Sequence, residues 1–232
     1  MTKPTSAVAI LLFTRSAGQD AAHKKLVSNG ARADNVAVVA QLISHATATA
    51  RQVGADFLCI DSCRQTGATF GARLSRAMHE AFASGYEQLL VIGNDCPQLD
   101  VGLLRRALAM LAMTGAVLGP ATDGGVYLLG VARTYFDSAV WAALPWQTAL
   151  LGRALAHRLR AAGAAVQQLP ALADVDNEQD LAQVLRQPMA RHQLRALRRL
   201  RRHLVPRPWP GVQSAAPLAL TAAYPHRGPP NC

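Results

Sequence analysis

Short apolar runs alternate along the chain with longer stretches of helical period. The runs at 7–13, 57–60, 89–93, 116–118, 126–131 and 166–169 are each a few residues long and read as strands. Between them, apolar residues recur at helical spacing over 34–52, 70–84, 101–113, 148–162 and 178–185, and capping residues such as Asp100 and Asn177 precede several of these. Regular alternation of strand and helix predicts an α/β domain whose mostly parallel sheet is covered by helices on both faces. The two runs on either side of Asp123-Gly124-Gly125 break that rhythm. Their connection is too short for a crossover helix, so they predict a hairpin and a mixed sheet.

After residue 185 the pattern changes. Residues 191–204 read as an arginine-rich helix with Leu194, Leu197, Leu200 and Leu204 at helical spacing, and 205–232, rich in Pro, Ala and Gly without any period, read as disordered. The expected organisation is one domain over 1–185, a basic amphipathic helix over 186–204 and a tail over 205–232. Charge follows the same division. All 14 acidic residues lie at or before Asp180, whereas nine of the 24 basic ones lie at or after Arg186, which leaves 15 basic against 14 acidic in 1–185. The net charge of +10 is therefore a property of the C-terminal part, and it implies no nucleic-acid binding by the domain. The basic helix has three readings: a solvated helix docked by its leucines, an interfacial helix on an anionic membrane surface, or a non-specific nucleic-acid contact. Specific nucleic-acid recognition is not expected, because interleaved aromatics and a recognition motif are absent.

Cys59, Cys63, Cys96 and Cys232 have no paired spacing and fit reduced thiols. The first apolar run is too short for a membrane span, which needs roughly 18–20 apolar residues, and it lacks a signal-peptide cleavage pattern. A cytoplasmic protein is expected.

Open α/β sheets bind ligands at the carboxyl ends of their strands, so polar residues directly after a strand are the first candidates. Asp95 in Asn94-Asp95-Cys96-Pro97 is one, with capping of the next turn as its plain structural role. Asp174-Val175-Asp176 is a second, its alternation sending both carboxylates the same way if the segment is extended; here the structural role would be capping of the following helix by Asp176 or Asn177. Hard cations such as Mg²⁺ or Mn²⁺ take carboxylate oxygens, and one or two carboxylates plus substrate phosphates complete their shell. Asp123 lies on a glycine-rich turn that either closes a hairpin or brings backbone close to a ligand. Trp146 either stacks on a sugar or base or serves as a buried anchor. His23, His45, His79 and His157 are scattered and read as ordinary surface or core residues.

Taken together, four segments resemble in order and spacing a bacterial GT-A glycosyltransferase-like family similar to 2-phospholactate guanylyltransferase. They are Ile92-Gly93-Asn94-Asp95-Cys96-Pro97, the stretch from Gly119 to Gly130, Leu144-Pro145-Trp146-Gln147-Thr148, and the stretch from Asp174 to Leu181. Upstream, Gln65-Thr66-Gly67 and Phe70-Gly71-Ala72-Arg73-Leu74 look like that family's Gly-x-Arg segment, and the resemblance covers about residues 7–185. It implies a three-layer GT-A fold with a mixed, mostly parallel sheet. It also implies Asp95 as the metal aspartate, with Asp174 or Asp176 as its partner. Asp123 would face the transferred group or acceptor, beside Gly124, Gly125 and Trp146. The nucleotide would be held by Arg15, Gly18, Lys24, Lys25, Gly67, Gly71 and Arg73. The family's Pro-x-x-Gly-x-x-Lys-Thr-Arg-Leu loop appears here in altered form, from Ser16 to Leu26, without its proline or arginine. Lys25 in place of that arginine offers a point charge rather than a bidentate fork.

The resemblance implies a transferase that uses Mg²⁺ or Mn²⁺ to move a sugar from a nucleoside-diphospho-sugar to a small acceptor, with Asp123 accepting the acceptor hydroxyl's proton. Nucleotidyl transfer from a nucleoside triphosphate to a phosphorylated small molecule, with Lys24 or Lys25 on the phosphates, is the alternative. A non-catalytic nucleotide-binding relative is the third.

Overall fold

The structure is a computed structural model. It describes residues 6–27, 30–189 and 191–204, with 202–204 as backbone only. The expectation of a disordered tail over 205–232, and Cys232 within it, concerns residues outside those described.

Six strands form one sheet: β1 (Val8–Phe13), β2 (Asp56–Ile60), β3 (Gln88–Ile92), β4 (Ala116–Pro120), β5 (Val126–Ala132) and β6 (Gln167–Gln168), in the order β2-β1-β3-β5-β4-β6. β1 pairs in parallel with β2 and β3, and β4 with β6, whereas β5 runs antiparallel to both β3 and β4. The expected strands and the hairpin at Asp123-Gly124-Gly125 are all present, and the fold is the three-layer α/β arrangement with a mixed, mostly parallel sheet that was expected.

Strict alternation along β1 and β3 builds the two faces. Ala9, Leu11, Phe13, Leu89 and Val91 join one core with α3 (Phe70–Ala83), α5 (Ser138–Ala142) and α6 (Leu151–Ala161). Ile10, Leu12, Leu90 and Ile92 join the other, with α2 (Arg32–Arg51) and α4 (Val101–Thr114). Ile10, Leu12, Leu89 and Leu90 are wholly buried, and each such side chain contributes about 1.5–3 kcal/mol relative to exposure. Two short helices were not expected: α1 (Ala17–Asp20) and α5. α5 carries Trp141, which is fully buried, and the Asp137 carboxylate caps it by accepting from the amides of Ala139 and Val140 at 3.0 Å each.

The helix ends decide which carboxylates remain free. Asp100 caps α4 by accepting from Leu103 N at 2.8 Å, so the Asp95 side chain has no capping duty there. α7 (Glu178–Val184) is closed by a reciprocal box. Asn177 accepts from the amides of Gln179 and Asp180 at 2.9 and 3.0 Å, and Asp180 accepts from Asp176 N and Asn177 N at 3.1 and 3.2 Å. Asp180 thereby fixes the backbone of Asp176 without drawing that residue's carboxylate into the cap.

α8 (Arg191–Leu204) packs along α2 and α7. Leu197 is wholly buried among Val38, Val39, Leu42, Leu181 and Val184, with Leu194 and Leu200 against the same cluster. Gln41 Nε2 donates to Gln193 Oε1 at 3.0 Å, and Arg198 donates to the Leu185 carbonyl at 3.1 Å. Among the described residues no helix is long and apolar enough to cross a membrane.

His45 on α2 is 5% exposed, donates through Nε2 to the Leu99 carbonyl at 2.8 Å and faces the His192 ring at 5.9 Å. Burial lowers its pKa from 6.5, against the pull of the Leu99 hydrogen bond and of Asp100, and His192 lowers it further. The folded protein thus binds the proton less readily than the unfolded chain. The stabilisation is complete above pH 6.5 and is lost as the pH falls through the folded-state pKa below it. Urea denaturation at pH 5 and pH 8 should show wild type losing more stability on acidification than His45→Gln. Equal losses in the two proteins would remove His45 as a source of the pH dependence.

Candidate functional site

Three segments distant in sequence meet at the carboxyl end of β1 and β3: the loop and helical turn after β1, the residues after β3, and the extended stretch before α7. Backbone pairing brings the last one in. Leu172 N donates to the Pro120 carbonyl at 3.2 Å, Val175 N to the Asp95 carbonyl at 2.9 Å, and Lys25 bridges Asn177 in parallel. Val175 is buried at this junction, so the alternation around it directs Asp174 and Asp176 away from the apolar cluster it joins.

Lys24 occupies the centre. Its ammonium contacts the carboxylate of Asp95, lies 2.9 Å from Asp176 Oδ1 and 3.9 Å from Asp20 Oδ2, and donates to the Val175 carbonyl at 3.1 Å. An ammonium has three donors, and Asp95, Asp176 and the Val175 carbonyl engage all of them. Lys24 is 7% exposed, whereas the side chains of Asp95 and Asp176 are 37% and 60% exposed, so the cation is inside and the anions form the rim. Burial would lower the pKa of Lys24. The charges of Asp95, Asp20 and Asp176 together outweigh it and leave the pKa raised, so the ammonium stays charged. Burial pushes the Asp95 carboxyl up from 3.8, against the pull of the Lys24 ammonium in contact with it, and the charges of Asp20 and Asp176 add to the rise.

Asp174 stands beside this pair. Its carboxyl is pushed up to about 7, first by burial and then by the negative charges of Asp95, Asp123 and Asp176, with Lys24 opposing. Asp20 is tied in from behind by Arg15 Nη1 at 3.3 Å and by Asn94 Nδ2 at 3.3 Å, and Asn94 Oδ1 accepts from Thr14 Oγ1 at 2.8 Å. Asp20, Thr14 and Asn94 were not singled out in the sequence. Only the four-residue spacing of Asp20 and Lys24 on one helical turn hinted at the first of them. Among the described residues no three His, Cys, Asp or Glu side chains converge closely enough to hold a metal ion.

A cleft of about 400 Å³ opens over these groups, lined by Arg15, Lys24, Arg73, Asp95, Asp123, Asp174, Asp176 and Trp146 among others. Asp123 reaches it from the β4–β5 turn, where its Oδ1 also accepts from Gly125 N at 2.8 Å, so the residue both closes the turn and faces the site. A second cleft, about 640 Å³, shares Arg15, Gln65 and Arg73 with the first and is lined further by Gly18, His23 and Arg32.

Other expected site residues fall elsewhere. Lys25 is exposed and lines neither cleft. Gly71 is a packing residue: a Cβ there would lie 2.4 Å from both the Ala142 carbonyl and Trp146 Cδ1. Gly67, at φ +140, is pressed against the backbone of Arg73 and shapes the turn into α3. Trp146 is both anchor and wall, since its Nε1 donates to the Trp141 carbonyl at 2.7 Å, its ring lies 5.7 Å from Phe70, and its remaining surface lines the cleft. Lys24, expected on phosphates, is committed to carboxylates instead.

The sequence of residues 15–148 matches the family described as an uncharacterized protein conserved in bacteria, DUF2064. The chain belongs to this family. No curated protein matches it in sequence. In structure it is similar to a protein of Desulfovibrio desulfuricans G20 provisionally described as a nucleotide-diphospho-sugar transferase. The TM-score is 0.74 at 24% identity, over 86% of this chain and 99% of that one. That likeness shows the fold, which is GT-A-like. Weaker likenesses are to Rv0371c of Mycobacterium tuberculosis H37Rv in complex with manganese (TM-score 0.46, 16% identity, 79% of this chain and all of that one). A further one is to CMP:2-keto-3-deoxy-manno-octonic acid synthetase complexed with CTP (TM-score 0.48, 14% identity, 77% and 97%).

Removing Lys24 would leave Asp95, Asp176 and Asp20 facing one another with no ammonium. Lys24→Met should therefore cost about 3 kcal/mol of unfolding free energy, measured by urea denaturation at neutral pH, and adding Asp95→Asn should restore part of the loss. Additive losses in the double variant would show that the two side chains are not energetically coupled.

Proposed function

We propose that this member of the DUF2064 family is a cytoplasmic transferase that moves a sugar from a nucleoside-diphospho-sugar to a small acceptor. One observation carries the reading: a carboxylate cluster of Asp95, Asp174 and Asp176 at the carboxyl edge of the sheet, opening into a cleft flanked by Arg15 and Arg73. Acidic groups at the centre and guanidiniums at the side suit a diphosphate-bearing substrate, since Arg pairs bidentately with phosphate. Free thiols at Cys59, Cys63 and Cys96 agree with the cytoplasmic placement.

The donor set suits a hard divalent cation, Mg²⁺ or Mn²⁺. It is all carboxylate oxygen, and after burial the negative charges of Asp95, Asp123 and Asp176 add to the upward push on Asp174. Asp95 and Asp176, with Asp174 alongside, would hold the cation only by exchanging the Lys24 ammonium that now contacts both; bound there, it would neutralise charge developing on the nucleotide leaving group. The chain's own groups do the rest. Arg15 and Arg73 orient the phosphates, Gly124 and Gly125 let backbone approach the substrate, and Asp123 takes the proton from the acceptor hydroxyl. Nucleotidyl transfer is a second reading, favoured by the same two guanidiniums, because a triphosphate needs the extra positive charge they supply.

A thermal-shift panel of nucleotide sugars, nucleoside diphosphates and triphosphates, with and without Mn²⁺, tests both. At a concentration of about 100 Kd the true ligand should raise the melting temperature by about 5–10 °C, and Asp95→Asn should abolish the metal-dependent part. Release of a nucleoside diphosphate supports sugar transfer, and release of pyrophosphate supports nucleotidyl transfer. Folded protein that responds to no nucleotide would overturn both.

A further inference from the structure

On the far side of the β4–β5 turn lies a groove of about 690 Å³, within the size range of small-molecule sites. Gly125, Val126 and Ala149 line both this groove and the carboxylate cleft, so the two spaces share a wall. That wall is thin and made of backbone. Gly124 has φ +93, and a Cβ on it would lie 2.3 Å from the Ala149 carbonyl oxygen; a Cβ on Gly152 would lie 3.1 Å from Gly124 O and 3.3 Å from Gly125 O. Gly152 N donates to the Gly124 carbonyl at 3.0 Å, closing the seam between the turn and the start of α6. Glycine is required here because the backbones of the turn and of the start of α6 fill the space a side chain would need, so the seam is a closed wall between groove and cleft.

The outer wall is cationic. Arg153, His157 and Arg160 stand on one face of α6 and line the groove, and no Asp or Glu does. None of the three forms an ion pair among the described residues, whereas Arg15, Arg76 and Arg133 all do. Basic side chains stacked at successive turns of a helix repel one another at a cost in stability. That cost becomes useful when an anion lies among them.

We propose that this groove is the acceptor subsite, and that it selects a small acceptor carrying an anionic group, a phosphate monoester or a carboxylate. The word acceptor rests on the transferase reading above; the anion site itself does not. The acceptor would seat its charge on Arg153 and Arg160, and its reactive end would extend over the rim of that wall at Gly125 and Val126, which border both spaces, toward Asp123.

The test is an amide-shift titration of the full chain with glycerol 3-phosphate, with glycerate, and with uncharged glycerol as control, in wild type and in an Arg153→Gln/Arg160→Gln variant. Both arginines are exposed, so the variant folds, which its melting temperature verifies. Shifts centred on residues 124–125 and 149–160, with affinity weakened about tenfold in the variant and no response to glycerol, support the proposal. The stronger of the two anions identifies the acceptor's charged group. Shifts confined to residues 15–25 and 65–73, or equal affinity in both proteins, overturn it. The nucleotide panel run on the same variant separates the two ideas. If nucleotides bind and neither anion does, the subsite fails and the transferase reading stands; if an anion binds the groove and no nucleotide binds, the transferase reading fails and with it the groove's role as acceptor site.

Discussion

A single buried ammonium holds the working end of this protein together. Lys24 joins the helical turn after β1 to Asp95 beyond β3 and to Asp176 before α7, and its third donor goes to the Val175 carbonyl between Asp174 and Asp176. The ammonium would be costly to bury alone, and the carboxylates on the rim offset that cost. Segments separated by 71 and 152 residues are therefore fixed relative to one another by charge as well as by strand pairing. The remaining features of the site, from the Asn94–Asp20 contact to the capping box behind Asp176, hold the members of this cluster in place.

Much of this was open to reading in advance, for identifiable reasons. The strands were visible because each apolar run is short and bounded, and the long helices because their apolar period persists over several turns. α1 and α5 are too short to show a period; α5 exists because Trp141 is buried and Asp137 caps it, both tertiary facts. Asp95 and Asp176 stood out because each follows a strand run at a sheet edge. Lys24 was noticed but expected to serve phosphates, because nothing local reports a partner 71 residues away. Gly71 illustrates the opposite error: it sits in a motif that suggested ligand binding, but it is a glycine because Trp146 and the Ala142 carbonyl occupy the space a methyl group would need. The α6 face drew notice only at His157, as an ordinary surface or core residue. Its helical period is plain in the sequence, but the cavity it overlooks is made by the β4–β5 turn and is visible only in three dimensions.

The site has a consistent electrostatic layout. An acidic centre lies between two cationic clefts, one bearing Arg15, Arg32 and Arg73 and the other Arg153 and Arg160. Low-dielectric walls concentrate such fields, so anionic groups on either side are drawn inward while the centre itself favours cations. The glycine seam separates the centre from the α6 groove by backbone alone, whereas the cleft of Arg15, Arg32 and Arg73 is continuous with it through Arg15, Gln65 and Arg73.

The docking of α8 carries a consequence of a different kind. Leu194, Leu197 and Leu200 are spent against α2 and α7, so Arg191, Arg195, Arg198 and Arg199 are displayed on a firmly mounted rod. Since the preceding domain is close to neutral, the molecule is electrically lopsided. An anionic surface will tend to turn it so that the side carrying this helix is presented first, and a cationic surface will turn that side away.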